Sequence, residues 1–141
     1  MASKSQMTGM LGVYLVAVEL TKRGFIVSPT SRSAAGADLL VTDQDCCKAF
    51  SVQVKSDRTK SDFWLVGKKA KTAVSPTHIY VFVKIKNSVK HGESVDFYIV
   101  SSKSVEQLAY HEGKFPNIRV KNINKFKDRW KVFGDPNPVE G

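Results

Sequence analysis

Cysteine is scarce in this chain, and its two cysteines, Cys46 and Cys47, are adjacent. Neighbouring cysteines rarely bridge each other, and no cysteine or histidine stands at a matching zinc-ligand spacing. The sequence therefore argues against a disulfide-stapled scaffold and a structural zinc site. It is typical of a protein kept in a reducing, cytoplasmic setting.

The chain also lacks a hydrophobic run long enough to cross a bilayer. The best candidate, residues 10–18, is far shorter than the roughly 20 apolar residues that a membrane span requires. No small-residue cleavage site precedes the charged residues that follow it, so it does not read as a secretory signal. The run is interpreted as a buried helix, and no membrane partner is expected.

Acidic residues are few, because 13 Asp and Glu stand against 22 Lys and Arg, which gives a formal net charge of +9. Such a surplus favours a polyanionic partner such as nucleic acid, although a solubilising lysine-rich surface explains it equally well. Between residues 114 and 133 seven basic residues accompany one acidic residue, Asp128. Aromatic residues interleave with them, a pattern that suits phosphate neutralisation with base stacking, but Phe126, Trp130 and Phe133 stand at helical spacing and are expected to pack inward.

The length of 141 residues predicts a single domain, 1–141, with loose tails at 1–7 and 135–141. A first helix is predicted over 8–23, with Thr8 as its cap and Gly24 at its end. Residues 79–85 form the clearest strand, and their continuous hydrophobicity predicts a central position covered on both faces. Further strands are predicted at 25–27, 37–42, 49–55, 63–66 and 95–100, and helices at 67–74, 102–112 and 125–133. The expected fold class is α/β, a mixed central sheet of about five strands flanked by helices.

Residues 36–56 predict a β-hairpin that carries the main candidate site. The strand pattern of 37–42 and of 49–55 is joined by a polar turn. Alternation along the second strand places Gln53 and Lys55 on one face, and the hairpin brings Asp38 beside them. An acid, an amide oxygen and an ammonium group on one side of a sheet indicate a site for a metal ion and a phosphate.

Other catalytic signatures are missing. The sequence contains no G-x-x-x-x-G-K-[ST] phosphate loop, no G-x-S-x-G elbow and no Cys–His nucleophile pair. His78, His91 and His111 show no ligand spacing and are interpreted as incidental.

The ordered motifs resemble the PD-(D/E)XK nuclease superfamily, in particular small members similar to archaeal Holliday junction resolvases. The matching pieces lie between about residues 8 and 101, with a weaker echo in F-K-D-R-W (126–130). They are Gly12 with V-A-V-E-L-T-K-R-G-F-I-V (16–27), G-A-D-L-L-V (36–41), V-Q-V-K-S (52–56), Trp64 and Y-V-F-V (80–83). The resemblance implies a restriction-endonuclease-like core.

The same resemblance implies a divalent-metal-dependent endonuclease that hydrolyses phosphodiester bonds in DNA, with Asp38, Gln53 and Lys55 as catalytic residues. Asp38 would anchor Mg²⁺ or Mn²⁺, and the Gln53 amide oxygen and the Val54 carbonyl would complete the ligand set. Lys55 would orient or help to deprotonate the attacking water and neutralise charge that develops on the phosphorus centre.

The partner expected from these features is nucleic acid, most plausibly DNA. The predicted nucleic-acid contacts are Arg32, Arg58, Lys60, Lys68 and Lys69. Many nucleases of this class dimerise, so a homodimer is kept as an alternative, although no interface is evident in the sequence.

Two departures from the family pattern keep other functions open. The family usually carries a Glu directly after the position matched by Gly12, where this chain has Val13, and Gln53 stands where most members have Glu. Asp38 is then the only carboxylate of the inferred site. One alternative is a nuclease-fold domain that binds nucleic acid without cutting it. The other is an interaction or accessory module whose basic face meets an acidic protein.

Overall fold

A computed structural model of the chain describes residues 1–31 and 36–136. The described part contains three α-helices, seven β-strands and three short 3₁₀ segments, joined by turns and loops. In chain order they are α1 (Lys4–Lys22), β1 (Ile26–Pro29), β2 (Leu39–Thr42), β3 (Ala49–Asp57), β4 (Phe63–Leu65), a 3₁₀ segment (Lys68–Lys71), β5 (His78–Ser88), β6 (Gly92–Ser101), α2 (Ser102–Leu108), β7 (Asn117–Arg119), α3 (Val120–Ile123), and 3₁₀ segments Asn124–Phe126 and Trp130–Phe133.

Five strands form the central sheet in the order β1-β2-β3-β5-β6, while β4 and β7 pair separately. The pair β3–β5 is parallel, and the other neighbours in the central sheet are antiparallel. This mixed sheet with flanking helices confirms the predicted fold class. Residues 79–85 of β5 are all buried, so the strand has the doubly covered position that its hydrophobicity predicts. Within the described ranges, no helix is both long enough and apolar enough to cross a membrane.

The two faces of the sheet carry separate hydrophobic cores, because successive strand side chains point to opposite sides. On one face Val52 and Val81 pack with Leu20 of α1. On the other face Phe82 packs with Trp64 of β4 and with Val105 of α2. The sheet is therefore covered by α1 on one side and by the smaller elements on the other.

Helix α1 begins at Lys4, four residues before the predicted start at Thr8. The cause is a capping box: Gln6 N donates to Ser3 Oγ at 3.1 Å, and Ser3 N donates to Gln6 Oε1 at 2.9 Å. Part of the predicted loose start is thus helical. Of the predicted C-terminal tail, residues 137–141 lie outside the described part of the chain.

Gly12 lets α1 approach β3 more closely than any other residue would allow. A Cβ atom built at Gly12 would lie 1.6 Å from Ser56 Oγ and 2.8 Å from Ser56 Cβ. The helix backbone consequently rests on the strand that carries Gln53 and Lys55. This contact places Val13, the next residue, at the edge of the candidate site.

The predicted hairpin is confirmed, with Leu39 opposite Val52 and Thr42 opposite Ala49. Its turn is held by the Asp43 carboxylate, which accepts a hydrogen bond from Cys47 N at 2.7 Å. Strand β2 starts at Leu39, so Asp38 lies immediately before the strand rather than inside it.

Candidate active site

Asp38 is held firmly against the start of the hairpin. Its Oδ2 atom accepts a hydrogen bond from Val54 N at 2.8 Å and a longer one from Gln53 Nε2 at 3.4 Å. Its backbone N donates to Val52 O at 2.7 Å, and its carbonyl accepts from Thr30 N at 2.9 Å. The side chain is only 8 % exposed, so the carboxylate has little freedom to leave this position.

Lys55 lies two residues beyond Gln53, on the same face of β3. Burial lowers the pKa of its ammonium group, and the nearby Asp38 carboxylate acts in the opposite direction. The structure therefore places the three predicted catalytic residues, Asp38, Gln53 and Lys55, close to one another.

Two neighbouring cavities meet at Gln53. The first is lined by Asp38, Gln53 and Val54, together with Val13 from α1. The second is a cleft of similar volume, lined by Gln53, Lys55 and residues of the 67–75 segment. Asp38 and Lys55 thus border different cavities, with the Gln53 side chain at the boundary between them.

The donor atoms around Asp38 suit a hard divalent cation held by few protein ligands. In residues 1–31 and 36–136, no group of three or more His, Cys, Asp or Glu side chains could hold a metal ion. Mg²⁺, however, is commonly bound through one or two carboxylates, with waters and substrate phosphates supplying the other ligands. Asp38 Oδ1 accepts no hydrogen bond from any described residue and is available as a ligand. The Val54 carbonyl faces the same strand edge as the Val54 N–H, which points at Asp38.

The predicted nucleic-acid contacts fall into two groups. Lys68 and Lys69 line the cleft beside Lys55. Arg58 instead pairs with Glu93 at 3.0 Å, and neither Arg58 nor Lys60 lines one of the two cavities. Arg32 lies outside the described residues.

Sequence reasoning missed three residues of the cleft, namely Ser51, His78 and Tyr80. His78 had been interpreted as incidental, but its Nδ1 lies 2.7 Å from Ser51 Oγ. The alternation that put Gln53 and Lys55 on one face of β3 also puts Ser51 there. His78 could not have been found in this way, because its place depends on the parallel register of β3 and β5.

The strand order, the carboxylate at the start of β2 and the Gln-x-Lys segment of β3 define a restriction-endonuclease-like, PD-(D/E)XK fold. Comparison with solved structures confirms this fold. The bacterial homing endonuclease I-Ssp6803I is 14 % identical, with a TM-score of 0.56 over 94 % of this chain and 91 % of that chain. Hjc, a Holliday junction resolvase from the archaeal hyperthermophile Archaeoglobus fulgidus, is 12 % identical, with a TM-score of 0.59 over 90 % of this chain and 96 % of that chain.

At these identities, the likeness establishes the fold and leaves the activity to be argued from the site. No protein-family model and no curated protein matches the sequence.

Proposed function

We propose that this chain is a divalent-metal-dependent endonuclease that hydrolyses phosphodiester bonds in DNA. The observation that carries the proposal is the convergence of Asp38, Gln53 and Lys55, with the Asp38 carboxylate fixed 2.8 Å from Val54 N. Both structural neighbours are named as DNA-processing enzymes, one a homing endonuclease and the other a Holliday junction resolvase. The net charge of +9 suits a polyanionic substrate.

Asp38, the Gln53 amide oxygen and the Val54 carbonyl would hold Mg²⁺ or Mn²⁺. When bound, such an ion supplies Lewis-acid polarisation of a phosphoryl oxygen and lowers the pKa of a coordinated water. The hydrogen bond from Val54 N orients the Asp38 carboxylate before any ligand arrives. Gln53 adds no charge, so the site depends on Asp38 for electrostatic attraction of the cation.

Lys55 would act on the water and on the phosphate. In its charged form the ammonium group stabilises negative charge that builds up on the phosphoryl oxygens as water attacks. Burial disfavours that charged form, so a larger share of Lys55 than of an exposed lysine is in the neutral amine form that can accept a proton. The water oxygen bonds to phosphorus, the bond from phosphorus to the leaving oxygen breaks, and the water proton passes to solvent or to the leaving group.

One observation favours a second function, nucleic-acid binding without cleavage. The cavity of Asp38 is bordered by the apolar Val13 on the helix side and by the neutral Gln53 on the strand side. A cavity with one carboxylate attracts a divalent cation less strongly than one with two or three. A domain that kept the fold and the basic cleft would still bind DNA by phosphate neutralisation.

Nicking of supercoiled plasmid in Mg²⁺ and in Mn²⁺ tests the proposed function. We expect wild type to nick, EDTA to stop it, and Asp38→Asn and Lys55→Ala each to lose at least about 100-fold in rate, as is typical when a charge-stabilising group is removed. Asp45→Asn and Lys90→Ala are matched controls, because both residues are exposed and lie in turns away from the two cavities. These controls should cut like wild type.

An inert wild type would contradict the catalytic proposal, as would Asp38 and Lys55 variants that cut as fast as the controls. If the inert protein still bound DNA with a steep dependence on salt, the binding function would be selected instead.

A further inference from the structure

Among the described residues, the cleft beside Lys55 is lined by cationic side chains and by no acidic ones. It has a volume of about 700 Å³, within the usual range for ligand sites. The lysines that line it in the described part of the chain are Lys55, Lys68 and Lys69. Asp38 borders only the neighbouring cavity. The described lining of the cleft is therefore positively charged, in contrast to the carboxylate side of the site.

The far end of the cleft is built from neutral hydrogen-bonding groups. Ser51 and His78 are register partners across β3 and β5, and Ser51 Oγ lies 2.7 Å from His78 Nδ1. Burial lowers the pKa of His78, while a hydrogen bond with the backbone of Ser51 acts in the opposite direction. His78 also packs edge-on against Tyr80, with ring centroids 5.3 Å apart. The second ring nitrogen of His78, Nε2, has no partner among the described residues and remains available to a ligand.

The 67–75 segment, which carries Lys68 and Lys69 along one side of the cleft, is anchored to the rest of the fold. Ala70, between Lys69 and Lys71, is 1 % exposed and packs in the second core. At the end of this segment, Ser75 N donates to Ser102 Oγ at 2.9 Å, and Ser102 Oγ donates to Ser75 O at 2.7 Å. Anchors at both places fix the backbone that carries Lys68 and Lys69 beside the cleft, which reduces the backbone entropy lost when these lysines bind an anion.

The length of the cleft along strand β3, from Ser51 to Lys55, exceeds what one phosphate can occupy. Residues two apart on the same strand face are separated by about 6.7 Å, so Ser51 lies about 13 Å from Lys55. A phosphate held at Lys55 leaves the Ser51–His78 end of the cleft for another group of the same ligand. In a nucleic-acid strand, that group is a neighbouring nucleotide with its own phosphate.

We propose that the cleft is a second phosphate subsite, which binds the DNA phosphate next to the one held at Asp38 and Lys55. Lys68 and Lys69 neutralise this phosphate, and the Ser51–His78 pair donates one hydrogen bond to it, because its other donor is used between Ser51 Oγ and His78 Nδ1. The subsite rests on the proposed function for its ligand, a DNA strand, but it concerns binding and does not require cleavage.

Binding of a fluorescein-labelled DNA duplex, measured in EDTA over a range of salt concentrations, tests the subsite without interference from cleavage. The double variant Lys68→Ala with Lys69→Ala should reduce the slope of log affinity against log salt by about 0.9, the value for one lost phosphate contact, and each single variant should reduce it by less. Lys90→Ala, an exposed lysine outside the cleft, should leave the slope unchanged.

His78→Ala should weaken binding roughly three- to ten-fold, the usual range for one hydrogen bond, without a change in slope because no charge is lost. His78→Gln should recover part of the loss. If both groups hold the same phosphate, the affinity lost by Lys69→Ala with His78→Ala should be smaller than the product of the single losses. Circular dichroism and the urea midpoint of each variant identify any change caused by misfolding.

The outcomes separate the subsite from the catalytic proposal. If the lysine variants change the slope but His78→Ala binds like wild type, the lysines belong to a general basic surface and the subsite is overturned. It is also overturned if no variant differs from Lys90→Ala, even when wild type nicks plasmid. If the variants behave as expected but wild type does not nick, catalysis fails and the subsite stands. A wild type that binds no DNA overturns both.

Discussion

Two glycines of the same helix should respond in opposite directions to the same substitution. Gly9 and Gly12 both lie within α1. A Cβ atom at Gly9 would meet nothing within 4 Å, whereas one at Gly12 would meet Ser56 Cβ at 2.8 Å and Ser56 Oγ at 1.6 Å. We expect Gly9→Ala to stabilise the protein and Gly12→Ala to destabilise it.

The magnitudes follow from helix propensity and packing. Replacing Gly by Ala inside a helix raises the free energy of unfolding by about 1 kcal/mol when nothing else changes. At Gly12 this gain is outweighed by overpacking, which costs about 1–3 kcal/mol. Rotation of the Ser56 hydroxyl relieves only the Oγ contact, because Ser56 Cβ is fixed to the strand backbone. The expected difference between the two variants is therefore about 2 kcal/mol.

Urea unfolding monitored by circular dichroism measures both changes. A double variant makes the test more specific. Ser56→Ala removes the Oγ atom, which is buried with no hydrogen-bond partner among the described residues. Gly12→Ala with Ser56→Ala should therefore recover part of the lost stability. If Gly12→Ala raised the unfolding free energy as much as Gly9→Ala, the close packing of α1 on β3 would be refuted.

Two further predictions concern charge. Lys84→Met should lower the free energy of unfolding, measured in urea, by about 3 kcal/mol, because removing one member of a buried ion pair leaves the other unpaired. Lys84 Nζ pairs with the Asp57 carboxylate and also donates to Thr59 O at 2.8 Å and to Ser61 O. A change below about 1 kcal/mol would contradict this. Gln53→Glu should tighten Mn²⁺ binding about ten-fold by calorimetry, because a second carboxylate joins Asp38, and unchanged affinity would show that the cation binds elsewhere.

The candidate site could be predicted from sequence because it is built from local pairing. Asp38, Gln53 and Lys55 all belong to one hairpin region, and period-two alternation with a short polar turn determines which side chains share a face. The continuous apolar run of β5 identified a strand that is covered on both faces, and this strand lies between β3 and β6. Roles in catalysis cannot be obtained in this way, and they remain predictions.

Features that depend on distant segments were not predictable. The helix predicted over 125–133 is wrong: the chain there forms two 3₁₀ segments, separated where Asp128 adopts a φ of 55°. The cause is strand β6, whose Phe97 carbonyl accepts a hydrogen bond from Asp128 N at 2.8 Å. Helical spacing nevertheless gave the right burial, since Trp130 and Phe133 pack inward as expected.

The position of Gln53 between the two cavities would link the proposed metal binding to the proposed DNA binding. Asp38 provides one negative charge on one side of Gln53, and three lysines provide positive charge on the other, so the surroundings of the proposed ion carry no net negative charge. A divalent cation is then held well only when a phosphate occupies the lysine side and contributes its own oxygen to the ion. Because such coupling is reciprocal, Mg²⁺ should tighten DNA binding by the same factor by which DNA tightens Mg²⁺ binding. A site poor in carboxylates would in this way take up its metal together with its substrate.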